Sequence, residues 1–167
     1  MSNRYHATPY DISATGFYFD TFEEYQTRAA AHRNEYGDPV EEYEIQFIDG
    51  DSYRRFEAIG VNQANLKDWF ERFDDMDDDE ALKLIILIEQ FGYSVEDALD
   101  RIDDLHLFEG TAIEYAEELI ESTGMLDQMP ENLRTYFDTE AFARDMVLGG
   151  DITSVEIDGR SYIADGV

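Results

Sequence analysis

Three features of the 167-residue chain predict an α+β fold. The stretch Tyr43–Phe47 alternates apolar and polar side chains, as a half-buried strand does. Between residues 62 and 124, four apolar-periodic segments each follow a side chain able to cap a helix. Near the end, Asp158-Gly159 separates two short strand-like segments. The expected organisation is a small α+β domain over residues 1–60, a central helical bundle over 61–110, and a C-terminal α+β domain over 111–167 that ends in a β-hairpin.

In the first part, Gly16–Asp20 (GFYFD) reads as a strand, and a helix follows from Thr21, its N-cap, to a stop at Gly37. A second strand places Tyr43, Ile45 and Phe47 on one face and Glu44 and Gln46 on the other, ending at the Asp49-Gly50 turn. In the middle, Asn62 can cap QANLKDWFERF, whose Leu66, Trp69, Phe70 and Phe73 stand at core spacing. Asp78 or Asp79 can cap EALKLIILIEQF before Gly92. Ser94 with Asp97 resembles a capping box opening VEDALDRIDDL, and Thr111 with Glu114 repeats the device before a helix that stops at Gly124. Beyond it, Pro130 suits the first turn of PENLRTYF. Asp138 or Thr139 can cap EAFARDMVL, which ends at Gly149-Gly150. Asp-Gly between DITSVEI and RSYIA is a strong hairpin signal, because a type I′ turn needs positive φ at both central residues.

Composition bounds the function. Asp and Glu number 40 against 12 Lys and Arg, a net charge of −28, so direct nucleic-acid binding is disfavoured and a basic partner is expected. Leu, Ile, Val and Phe still make up about a quarter of the chain, above the roughly one-fifth below which highly charged chains stay disordered. No cysteine is present, so disulfides and thiolate chemistry are excluded. The first residues are polar, and the longest apolar run, Leu84–Ile88, is too short to span a bilayer. The expectation is a cytoplasmic protein with no membrane association.

The charge is distributed along the whole chain: −7 for residues 1–60, −11 for 61–110 and −10 for 111–167. Asp74, Asp75, Asp77, Asp78, Asp79 and Glu80 form a dense cluster broken only by Met76. A helix over residues 95–105 sets Glu96, Asp97, Asp100, Asp103 and Asp104 opposite Val95, Ala98, Leu99, Ile102 and Leu105. The next helix sets Glu114, Glu117, Glu118 and Glu121 opposite Ile113, Ala116, Leu119 and Ile120. Any one such stripe is ordinarily a solvated face, but like charges at i,i+4 cost about 0.2–0.5 kcal/mol per pair, and here the stripes repeat. Duplex DNA carries one charge per ~1.7 Å, so 28 charges match the phosphates on roughly 48 Å, about 14 base pairs. These observations point to a protein surface that imitates DNA.

The segment Ala116–Ala164 resembles the C-terminal part of the ArdA antirestriction family. The matching residues are Pro130, Glu131, Leu133, Tyr136, Asp138, Glu140, Ala143, Arg144, Asp145, Gly150 and Asp151. GFYFDTFEEYQTRAA, EEYEIQFIDGD and IEQFGYSVEDALD are similar to its earlier elements, whereas YHATPYDISATG departs from the family pattern. The resemblance implies a bacterial or mobile-element protein that occupies the DNA-binding groove of type I restriction-modification enzymes, at the methyltransferase core. It would block restriction and often methylation. It also implies an elongated particle of three small domains that forms a homodimer through the last. Carried onto this sequence, Pro130, Leu133 and Tyr136 stand as packing or dimer-contact positions, Arg144 and Asp145 as an ion pair, and the clustered carboxylates as the partner-binding groups.

Other constellations fail. Asp75, Asp77 and Asp79 mimic the start of a calcium loop, but Glu80 stands where Gly is needed and Ile86 where a bidentate Glu belongs. His6, His32 and His106 lack partners at ligand spacing, and no nucleophile elbow, metalloprotease helix or phosphate loop occurs. No cofactor, metal or catalytic residue is therefore expected. Three competing readings of the acidity are halophilic adaptation without a partner, an acidic enzyme using Mg²⁺, and a chaperone for another basic DNA-binding protein.

Overall fold

The computed structural model describes residues 2–167, and it divides into two compact units, one ending at Glu89 and one spanning Gln90–Val167. The first holds β1 (Arg4–Pro9), β2 (Phe17–Phe19), α1 (Phe22–Ala31), β3 (Tyr43–Asp49), α2 (Tyr53–Ile59), α3 (Leu66–Asp68), a π-helical turn (Trp69–Phe73) and α4 (Asp78–Glu89). The second holds α5 (Val95–Arg101), β4 (His106–Glu109), α6 (Ala112–Thr123), a 3₁₀ turn (Met125–Gln128), α7 (Glu131–Arg134), α8 (Thr139–Gly149), β5 (Thr153–Ile157) and β6 (Arg160–Asp165). Each unit contains one three-stranded antiparallel sheet, ordered β2-β1-β3 and β4-β6-β5, so the α+β expectation holds.

The first sheet is centred on a strand that the sequence reading did not place. Along β1, Tyr5 and Ala7 are completely buried while Arg4 and His6 face outward. Two inward residues are too short a run to register as alternation, yet Tyr5 becomes the hub of the core. Its ring lies 5.3–6.4 Å from those of Phe19, Phe47, Phe56, Trp69 and Phe70. β3 keeps its expected register, with Tyr43 and Ile45 buried. α2, whose Phe56 joins this cluster, packs against α4, which buries Ala81, Leu84, Ile85, Ile86 and Leu87.

Several helix ends differ from the sequence reading, each for a local reason. α1 is capped by Thr21 as expected but stops at Ala31, because the Asn34 side-chain oxygen accepts the N–H groups of Tyr36 and Asp38 and turns the chain before Gly37. Asn62 accepts from Ala64 N–H in a local turn, so the next helix begins only at Leu66. Asp77, not Asp78 or Asp79, caps α4 by accepting the Asp79 N–H at 2.9 Å. α5 ends at Arg101, and the chain turns into β4, a strand not anticipated, which pairs with β6. Of the helices between residues 61 and 110, α3 and α4 belong to the first unit and α5 to the second.

The C-terminal elements follow the sequence closely. Thr111 and Glu114 form a reciprocal capping box, and Gly124 ends α6 with φ 61°. Asp138 caps α8, which lies against α6; each of these helices buries an alanine, Ala143 and Ala116. At the hairpin, Asp158 and Gly159 have φ 51° and 77°, as a type I′ turn demands. No helix of the described residues is long and apolar enough to cross a membrane.

Candidate functional site

The acidic cluster at 74–80 is built on a buried polar hub. The π-helical turn, in which the Asp74 N–H reaches back to the Trp69 carbonyl at 2.8 Å, brings both residues onto the Tyr5 hydroxyl. Trp69 Nε1 donates to that oxygen at 2.8 Å, and the hydroxyl donates to Asp74 Oδ1 at 2.5 Å. Asn3 Nδ2 donates to the same carboxylate at 2.8 Å and to Ser52 Oγ at 3.0 Å. Asn3 fits there because Gly50, at φ +129°, has no Cβ to collide with it. Burial, followed by the Asp74 hydrogen bond, pushes the Tyr5 phenol far above its ordinary value.

Arg55 completes the hub from α2. It is buried, and its guanidinium donates to the carbonyls of Met76 (2.7 Å) and Asp74 (3.0 Å) and to Ser52 Oγ (2.7 Å). Burial lowers its pKa, while Asp74, Asp78 and Asp75 favour the charged form. A buried cation thus holds the backbone of the acidic turn, and the turn's carboxylates in return stabilise that cation. Asp75, Asp77, Asp78, Asp79 and Glu80 remain exposed, whereas Asp74 is half-buried and turned inward.

The second predicted stripe is shorter than expected. Glu96, Asp97 and Asp100 lie exposed on α5, but Asp103 and Asp104 fall in the turn that follows it. Asp97 also accepts the Ser94 hydroxyl at 2.7 Å, so it serves the cap. On α6 the whole predicted stripe is present, with Glu114, Glu117, Glu118 and Glu121 exposed. With Phe108, Glu109 and Ser122 these four line an open groove of about 670 Å³. Glu114 donates nothing to that groove's neutrality: the Thr111 N–H, bound at 2.7 Å, holds its carboxyl below the usual range and hence charged. Among the described residues no Lys, Arg or His pairs with Glu117, Glu118 or Glu121. The cations of this unit are engaged elsewhere: Arg101 over Tyr93, Arg134 with Asp127, Arg144 with Asp145 and Arg160 with Glu109.

A family model described as antirestriction protein (ArdA) matches residues 10–159 of this chain. The chain belongs to the ArdA family. Membership implies an antirestriction function, in a family of inhibitors rather than enzymes. A comparison with curated proteins returns no match. All fifteen acidic residues singled out from sequence lie inside the ArdA match, whereas β1, the central strand of the first sheet, precedes it.

The three positions that the resemblance gives as packing or dimer contacts are exposed. Leu133 and Tyr136 are 47% and 82% accessible and Pro130 is also exposed, so none packs in the core of this chain. Arg144 and Asp145 do pair, at 3.8 Å and in the open, where an ion pair contributes little. Sequence reasoning missed Asn3, Tyr5, Ser52 and Arg55, which support the acidic turn, and Glu109, which joins the α6 stripe through β4. None carried a local signal: even the Arg4–Thr8 stretch has too few inward residues to register as alternation, and the contacts join distant parts of the sequence.

Proposed function

We propose that this ArdA-family protein blocks type I restriction-modification enzymes by presenting carboxylates where the methyltransferase core expects DNA phosphates. The α6 stripe carries the reading: Glu114, Glu117, Glu118 and Glu121, joined by Glu109, form a row of exposed carboxylates, and the last three of the stripe lack a pairing cation. Folding alone would favour lysines interspersed at i,i+4. Asp75, Asp77–Glu80, Glu96, Asp97, Asp100, Asp103 and Asp104 extend the acidic surface of each unit. A row of fixed charges fits a groove whose Lys and Arg side chains are spaced to meet a polyanion, and association is steered by that complementarity. The protein acts as a homodimer through residues 111–167, with Pro130, Leu133 and Tyr136 at the contact. Its setting is a bacterial cytoplasm or a mobile element resident there.

Competition tests the reading. Purified protein added to a type I methyltransferase core bound to a fluorescent DNA duplex should displace the duplex at near-stoichiometric ratio and less effectively as salt rises. Undisturbed DNA binding at a tenfold excess of protein would refute the proposal, and recovery of nucleoid proteins alone from a bacterial lysate would favour the chaperone reading instead.

A further inference from the structure

In the first unit, the loop between β1 and β2 and the turn after α1 are tied into one tip. Asn34 Nδ2 donates to Asp11 Oδ2 at 2.9 Å, and the Glu35 N–H donates to the Ser13 carbonyl at 3.0 Å. The Ser13 N–H and hydroxyl both donate to Asp11 Oδ1, at 2.9 and 2.6 Å, and the Tyr10 N–H bonds the Glu42 carbonyl at 3.2 Å. The Ser13 hydroxyl, then Asn34, hold the Asp11 carboxyl below its usual range, so this clasp stays ionised. On the tip stand three large apolar side chains: Ile12 is fully exposed, Tyr36 is 76% exposed and Tyr10 is 66% exposed.

Isolated exposed apolar residues are ordinary, but these three stand on backbone that the hydrogen bonds above already hold, which lowers the cost of ordering them at a contact. The charge around them narrows the occupant. Glu35, Asp38, Glu41 and Glu42 are exposed beside the tip, and Arg33 donates to the Ala30 and His32 carbonyls at the end of α1. An acidic rim of this kind repels nucleic acid and anionic lipid. A second copy of this chain would bring its own excess of carboxylates against it.

We propose that Tyr10, Ile12 and Tyr36 form an apolar anchor that docks into a recess rimmed by Lys or Arg on the basic protein partner. The inference rests on the reading above, that this partner is a type I methyltransferase core, and adds to it a contact that does not depend on charge. Apolar and aromatic anchors at the centre of a charged rim carry most of the energy in many interfaces, whereas rim charges mainly set the on-rate and salt dependence.

The two contributions separate in a titration of the purified core with wild type, Ile12→Ser/Tyr36→Ser, Ile12→Val/Tyr36→Phe, and Glu35→Gln/Asp38→Asn, each at several salt concentrations. The serine variant should lose about tenfold or more in affinity at every salt concentration, with an unchanged slope of log K against log salt. The conservative variant should bind as wild type, and the charge variant should flatten the slope. Serine-variant affinity within twofold of wild type would overturn the anchor while leaving the carboxylate reading intact; absence of wild-type binding would remove the partner and both proposals together. Loss of self-association in the serine variant with core binding unchanged would assign the tip to a second copy and also overturn it.

Discussion

At Asp74 one carboxylate accepts from Tyr5 and Asn3 at 2.5 and 2.8 Å, while its sequence neighbour Asp75 is exposed and Asp77, also exposed, caps α4. Replacing it with alanine strands a buried hydroxyl and a buried amide, and hydrogen bonds to charged groups are worth about 1.5–3 kcal/mol. Asp74→Ala should therefore lower the unfolding free energy by about 2–3 kcal/mol, read as a shifted urea midpoint, whereas Asp75→Ala should stay within about 0.5 kcal/mol of wild type. Equal effects would show that the hub does not bear on stability. Tyr5 predicts an alkaline limit. Its phenol is held protonated by burial and Asp74, and burial likewise raises Tyr25, Tyr43 and Tyr115. An acid whose folded pKa is raised binds its proton after the unfolded chain, near its ordinary 10.0, would have released it. Stability is thus retained below about pH 10 and falls above it, by up to about 1.4 kcal/mol per pH unit for Tyr5 alone. Urea unfolding at pH 9 and pH 11 checks the sign; no loss at pH 11 would contradict the buried phenol. At this scale the sequence listed six equivalent acids in 74–80, and only the fold distinguished Asp74 from the rest.

Among the elements, α6 was the most legible. A capping box, a glycine stop and an apolar face opposite four glutamates are all local patterns, and local patterns survive folding unless a neighbour overrides them. α5 shows such an override: its periodicity continues through Leu105, but the chain leaves the helix at Arg101 because residues 106–109 pair with β6, a partner more than fifty residues away. The same long-range pairing explains why β1 and β4 were not read from sequence. For α6 we expect Glu117→Gln/Glu118→Gln/Glu121→Gln to keep its circular dichroism and to raise the thermal midpoint slightly at low salt, since like-charge neighbours at i,i+3 and i,i+4 are relieved. The triple variant should also bind a methyltransferase core about tenfold or more weakly, with a shallower salt dependence. Unaltered affinity would remove this stripe from the proposed interface, whereas single substitutions should have little effect because the attraction is summed over many screened charges.

For the whole molecule, charge acts in two opposed directions. Through residue 89 there are 21 acids against 8 bases, and beyond it 19 against 4, so both units carry the excess. Association with a basic enzyme should weaken as salt screens the attraction, while the proposed dimerisation of two copies, each at −28, should strengthen as salt screens their repulsion. Sedimentation equilibrium at low and high salt measures the second effect. Leu133→Asp/Tyr136→Asp should give a monomer at both, because these exposed apolar side chains would be the buried part of the contact. A dimer that persists in this variant would place the contact elsewhere.

The sequence by itself determined the chemistry of the surface and the elements whose signals are local: the acidity, the missing thiols, the α6 capping box and stripe, the Asp138 cap and the Asp158-Gly159 hairpin. Tertiary structure alone decided which carboxylate turns inward, where α1 and α5 end, and which distant residues hold the acidic turn in place. The division has one physical cause. Caps, turns and helical stripes are interactions between residues a few positions apart, whereas β1, β4 and the contacts of Asn3, Tyr5, Ser52 and Arg55 join segments tens of residues apart, so nothing in their local sequence encodes the partner.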